Sequence, residues 1–176
     1  MKRITKLIKH LEKEMKAATN KWIKQLEQAG TTNVKKVIQE AFTKAPSNSQ
    51  VVITYLRSSA ITESHKFKLA IYQTAPFVDK PIYQRLINMK PLFADVPEEA
   101  QALVRKASPP FFHIIPFEKE EIKRNYTVRL YQQSYHFFDR AIKEMEIDNQ
   151  QITVYFGEEM GGLITLGASK TIGASK

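Results

Sequence analysis

Residues 1–28, MKRITKLIKHLEKEMKAATNKWIKQLEQ, decide how the chain is read. From Lys2 to about Leu26, apolar residues recur at Ile4, Ile8, Leu11, Met15, Ala18 and Trp22, with Leu7, Ile23 and Leu26 broadening the stripe. Steps of three and four residues place them on one side of a helix that turns about 100° per residue. Lys2, Lys6, Lys9, Lys13, Lys16 and Lys24 fall on the opposite side, so the segment predicts an amphipathic helix with a basic outer face. Its apolar stripe needs a cover, either the domain's own sheet or a second chain.

Working outward, Gly30 is a stop signal, and Thr31 or Thr32 caps a second helix carrying Val34, Val37, Ile38, Ala41 and Phe42. The two helices predict a helical hairpin over residues 1–45, ending before Pro46. Val51 to Arg57 is rich in β-branched and aromatic residues and reads as a strand. Lys66 to Gln73 reads as its hairpin partner, with Phe67, Leu69 and Ile71 on a buried face and lysines on the other. Asp79, Lys80 and Pro81 predict the start of a short helix with Ile82, Leu86 and Ile87. Asp95, Pro97 and Glu98 predict a carboxylate-capped helix that buries Ala100, Leu103, Val104 and Ala107. Phe111 to Ile115 reads as a short strand.

Residues 118–146 lack Gly and Pro and allow one long helix, although Tyr126, Val128 and Leu130 alternate as a strand would, which puts its start near Ser134 in the alternative. Ile152–Phe156 and Leu163–Leu166 flank a glycine-rich connection and predict a hairpin. Thr165–Lys170 and Thr171–Lys176 are near-identical hexapeptides, too few for a repeat architecture, and 171–176 reads as a disordered tail. The predicted fold is α+β in a single domain over 1–170: an N-terminal helical hairpin, an antiparallel sheet of about five strands, and further helices mainly on one face.

The 176 residues are 43% hydrophobic and 26% charged, ordinary globular usage that excludes a wholly disordered or collagenous chain. No cysteine is present, which excludes disulfides, thiolate metal sites and thiol nucleophiles. Lysines and His10 interrupt the apolar residues of the first turns, unlike a secretory signal, and no apolar run approaches the roughly 18 residues that cross a bilayer. The expectation is a cytoplasmic protein with no transmembrane segment.

The formal charge of +9 is concentrated at one end: residues 1–36 hold ten cations against three carboxylates, leaving +2 for the other 140 residues. Such a field favours acidic partners.

No reaction is named by the motifs. His10, His65, His113 and His136 lack metal-ligand spacing, so neither a metal nor a cofactor is expected. His136 and Asp139, three apart on a helix, read as a surface pair, and His113 among apolar neighbours reads as a core histidine. Glu158 and Glu159 sit in a solvated turn. The glycines of 157–167 lack the phosphate-loop spacing, and no serine sits in a nucleophile elbow.

Tyr55 and Arg57 on one strand, with Lys66, Lys68 and Tyr72 on the next, form a candidate nucleic-acid surface in which aromatics stack on bases. The leading expectation is a non-catalytic binding module whose first helix, through Trp22 and its neighbours or through its lysines, engages a protein, a second copy or an acidic surface. The alternatives are sequence-nonspecific nucleic-acid binding, and a small hydrolase or transferase assembled from Glu158, His113 or His136.

Overall fold

The computed structural model describes residues 2–108, 111, 113–145 and 152–167. The chain is α+β with a helical start, and it divides into two compact units. The repeated hexapeptide lies mostly, and the tail of 171–176 wholly, outside the described residues.

The helical unit comprises Met1–Ala29, Tyr55–Lys66 and Asn88–Ser134. Its first segment forms helices α1 (Lys2–His10) and α2 (Glu12–Gln28), separated only at Leu11. There φ and ψ are −81° and 0°, yet the hydrogen-bond ladder continues from Leu11 N to Leu7 O at 3.1 Å and from Met15 N to Leu11 O at 2.8 Å.

The buried seam is Leu7, Leu11, Met15, Trp22 and Leu26, while Ile4, Ile8, Ala18 and Ile23 are half-buried at its margin. The seam thus runs within the predicted stripe, centred on its Leu7 side rather than on Ile4, Ile8 and Ala18. Fully burying such side chains is worth about 1.5–3 kcal/mol each.

The helix α6 (Pro116–Gln133) is the axis of this unit, packed by α1, α2, a five-residue helix α4 (Arg57–Ile61) and α5 (Val96–Ala107). Being contacted from several sides, it buries Ile122, Tyr126, Thr127, Leu130 and Tyr131, and the strand reading of 126–130 gives way to helix. Glu118 closes its first turn by accepting the Ile115 N–H at 3.1 Å, and is itself paired with Arg3 at 2.8 Å. The segment of Phe111, His113, Ile114 and Ile115 is irregular rather than a strand, because it leads into this N-terminus instead of pairing. Asp95 does precede α5, but its carboxylate makes no capping hydrogen bond.

The sheet unit comprises Gly30–Thr54, Phe67–Ile87 and Tyr135–Lys176. It holds α3 (Thr32–Phe42), α7 (Tyr135–Lys143) and most of a five-stranded sheet. The strands are β1 (Gln50–Tyr55), β2 (Lys66–Tyr72), β3 (Tyr83–Asn88), β4 (Thr153–Glu158) and β5 (Leu163–Leu166), in the order β3-β2-β1-β4-β5.

The sheet is mixed rather than wholly antiparallel. Thr153 N, at the start of β4, bonds Ser49 O just before β1, so these two strands begin side by side and run parallel. A hairpin turn forces antiparallel pairing, whereas β4 arrives by a long connection and is free of that constraint. The β4–β5 hairpin is antiparallel as predicted, with Val154 opposite Leu166 and Gly157 opposite Leu163.

Residues 83–88 are strand rather than helix: Ile82 N bonds Ile71 O at 2.9 Å, which starts β3 beside the end of β2. Phe67 packs against Phe138 and Phe156 on one sheet face. Val52, Ala70 and Tyr72 cluster with Phe77, Tyr155 and Leu163 on the other.

The helices α1, α2 and α3 follow one another as the helical start of the chain, and α2 and α3 fall in different units.

Candidate functional site

The helical unit presents a basic surface built from α1, α2 and α6. Lys6, Lys9, Lys13, Lys16 and Lys24 are all exposed, and none forms an ion pair within the length of a salt bridge to a described carboxylate. Only the backbone of Lys2 is described. Trp22, by contrast, is 2% exposed. Its Nε1–H donates to Leu92 O at 2.8 Å and its ring meets Phe93, so the residue is core and not part of a docking surface.

Beside the lysines, three adjoining clefts follow α6. The first lies between Ile4, Ile8 and Lys9 on α1 and Glu121 and Arg124 on α6. The second runs from Glu12, Lys16 and Ile23 on α2 to Arg129 and Gln133 on α6. The third, of about 410 Å³, is bounded by Arg57 and Ile61 of α4 and by Arg124, Val128 and Arg129 of α6.

Two carboxylates fix the arginines. Glu12 accepts both ends of the Arg129 fork, at 2.9 and 2.8 Å, which holds its carboxyl below the usual carboxylate range. Glu121 accepts from Arg124 at 2.7 Å. The helical repeat explains the grouping, since Arg124, Val128, Arg129 and Gln132 share one face of α6.

The predicted nucleic-acid surface on the sheet is not assembled. Tyr55 and Tyr72 are 4% and 3% exposed, which denies their rings to a stacking base. Arg57 sits on α4, beyond the end of β1, because the strand stops at Tyr55. Lys66 is exposed and Lys68 is half-buried in an ion pair with Glu159.

The residues proposed for a dispersed catalytic site are also placed. The His113 ring is exposed, with a left-handed backbone at φ 56°, so it is not a core histidine. His136 is exposed, and Asp139 turns to Lys143 at 2.6 Å and to the Gly167 N–H at 2.9 Å. Glu158 is half-buried on β4, and its backbone carbonyl accepts from Gly161 N at 2.9 Å. Among the described residues, no group of three or more His, Asp and Glu could hold a metal ion, and no helix is long and apolar enough to cross a membrane.

Among the buried titratable groups is His65, to which the sequence assigns no role beyond the lack of metal-ligand spacing. It is 5% exposed, its Nδ1 lies 2.9 Å from Tyr131 Oη, and its ring stacks on Phe93 at 4.7 Å. Burial lowers its pKa, and Lys90 and Lys123 add to the effect against the opposing pull of Glu63. Burial also pushes the Tyr131 hydroxyl up to about 12.

A histidine with a depressed native pKa binds fewer protons folded than unfolded, so its contribution to stability is full above about pH 6.5 and is lost as pH falls below that value. Thermal melts of the wild type are expected to weaken from neutral pH downward through this window. The His65→Asn variant should lose stability overall yet show a flatter profile there; parallel profiles would contradict the assignment.

Comparison with protein-family models, with curated proteins and with solved structures finds no match to this chain.

Proposed function

We propose that the chain is a non-catalytic binding module that docks an acidic partner on the basic face of α1 and α2. The observation that carries this reading is the run of exposed lysines at 6, 9, 13, 16 and 24, none within salt-bridge distance of a described carboxylate, beside the clefts along α6. Lysine stripes on bundle helices are commonly just solvated. Here five lysines follow one face while Arg124 and Arg129 on α6 occupy Glu121 and Glu12, so the lysines set the sign of the field, and such a field concentrates anionic ligands and raises their association rate.

The buried seam beneath the lysines favours the electrostatic version over docking through the apolar stripe. Leu7, Leu11, Met15 and Trp22 are already covered within the chain. A cytoplasmic setting accords with this reading.

The test is charge reversal at Lys6, Lys9, Lys13 and Lys16, all to Glu, with binding read by fluorescence anisotropy of a labelled polyglutamate chain at low salt. Exposed pairs contribute roughly 0.2–1 kcal/mol each, so losing four and adding repulsion should weaken binding about tenfold or more. Unchanged affinity in a variant with an unaltered circular-dichroism melt would overturn the reading.

A further inference from the structure

Exposed apolar side chains stand beside the lysine stripe. Phe117 on α6 is 62% exposed and Ile61 on α4 is 65% exposed. Scattered singly, such residues need no explanation; joined with cations into one surface, they mark an interaction site.

The helical repeat joins them. Phe117, Glu121 and Arg124 recur at steps of four and three, on one face of α6. Glu121 and Arg124 form one wall of the cleft whose other wall is Ile4, Ile8 and Lys9 of α1. Lys9 also belongs to the stripe of Lys6, Lys9, Lys13 and Lys16, which recur at steps of three and four along α1 and α2. On the other side, Ile61 shares the next cleft with Arg124 and Val128. A continuous surface therefore runs from the lysines, over half-buried Ile4 and Ile8, to Phe117 and Ile61.

From this juxtaposition we infer that the acidic partner of the basic face is an anionic lipid bilayer, with the lysines at the headgroups and Phe117 and Ile61 inserted among the upper parts of the acyl chains. The inference rests on the docking reading above and names its partner.

The charge that matters here is that of the lysines. Arg129 is held by Glu12 and Arg124 by Glu121, so these pairs add no net charge, and the two carboxylates are kept from repelling lipid phosphates. The exposed Glu120 lines the groove toward α5 instead. Each lysine close to an anionic bilayer raises affinity about fivefold.

Lasting attachment to a bilayer takes two signals, such as a basic patch and an apolar insertion. Both are present on this surface. A polynucleotide or a soluble acidic chain gives the aliphatic side chains nowhere to leave water, whereas a bilayer receives cations and apolar groups in adjoining layers.

Flotation tests this with the full chain at low salt, on vesicles of pure phosphatidylcholine and of equimolar phosphatidylcholine and phosphatidylserine. The wild type should bind the mixed vesicles about a hundredfold or more tightly than the neutral ones, and reversal of Lys6, Lys9, Lys13 and Lys16 to Glu should abolish the difference. Phe117→Ser should weaken binding to the mixed vesicles about tenfold, and adding Ile61→Ser should weaken it further. Both residues are exposed, a melt of each variant monitors folding, and affinity for polyglutamate should stay within about twofold of wild type.

Phe117→Trp supplies a second readout. The chain's own Trp22 is buried, so brominated lipid should quench the added indole and leave the wild-type fluorescence unchanged.

Lysine-dependent polyglutamate binding without any preference for the mixed vesicles would overturn the bilayer and leave the docking reading standing. Oligothymidylate bound with that same lysine dependence, in place of the vesicles, would overturn it too and assign the face to nucleic acid. Vesicle binding indifferent to both serine variants, with the added indole unquenched, would overturn the insertion. Vesicle and polyglutamate binding that both survive lysine reversal would overturn the two readings together.

Discussion

Trp22→Ala is expected to lower the unfolding free energy by about 3–5 kcal/mol, the range for removing a large buried aromatic. The ring is 2% exposed and packs against Phe93 at a centroid distance of 5.2 Å, within the interior that also holds Met15 and Leu26. Truncation leaves a cavity and strips the Leu92 carbonyl of its 2.8 Å indole donor. An unsatisfied buried acceptor adds about 1–3 kcal/mol, partly within the same total.

Trp22→Phe refills much of the volume but not the hydrogen bond, so its loss should be smaller, about 1–3 kcal/mol. Urea titrations give both numbers. The folded fraction of Trp22→Phe should bind polyglutamate as the wild type does. A selective loss of binding without a loss of stability would return Trp22 to the docking surface.

Gly157→Ala is expected to cost about 3 kcal/mol or more, at the upper end for overpacking. A Cβ built there would lie 2.1 Å from the Gly162 carbonyl oxygen and 3.0 Å from Leu163 Cδ2. The obstacle is the backbone of Gly162, just before β5, and Gly157 is paired with Leu163 in the ladder, so relief requires shifting the β4–β5 hairpin. Side chains can swing aside; a backbone carbonyl moves only with its chain.

Gly162→Ala is the matched control, since nothing lies within 4 Å of its added Cβ, and it should change stability by no more than about 0.5 kcal/mol. Equal denaturation midpoints for the two variants would show that the hairpin is not closed as described.

Much of this architecture is legible in the residues. The period of residues 2–26 specifies a helix because apolar positions recur on one side, and the alternation of Phe67, Leu69 and Ile71 specifies a strand because every second side chain enters the interior. Where the seam centres within the stripe is left open because Leu7 and Ile8 are adjacent and equally apolar, so only the partner helix decides which one faces fully inward. Helix α6 is ambiguous for a related reason: Tyr126, Val128 and Leu130 also alternate as a strand would, and only the helices packed on Tyr126, Thr127, Leu130 and Tyr131 decide between the two.

The strand β3 carries few buried residues, being at the sheet's edge, and its Ile82, Leu86 and Ile87 also suit helical spacing. The site is less legible than the fold. Exposed lysines can be read from the helical wheel, but Arg57 joins Arg124 and Arg129 only through the packing of α4 on α6. His65 meets Tyr131 across 66 residues of chain, a separation no local pattern encodes.

The salt dependence of polyglutamate binding by the wild-type chain tests the central claim most directly. The basic face predicts that affinity falls about tenfold or more as added salt shortens the Debye length from ~30 Å to ~8 Å. Affinity that stays level across that range would mean that the lysines of α1 and α2 are merely solvated, and would contradict the proposed role.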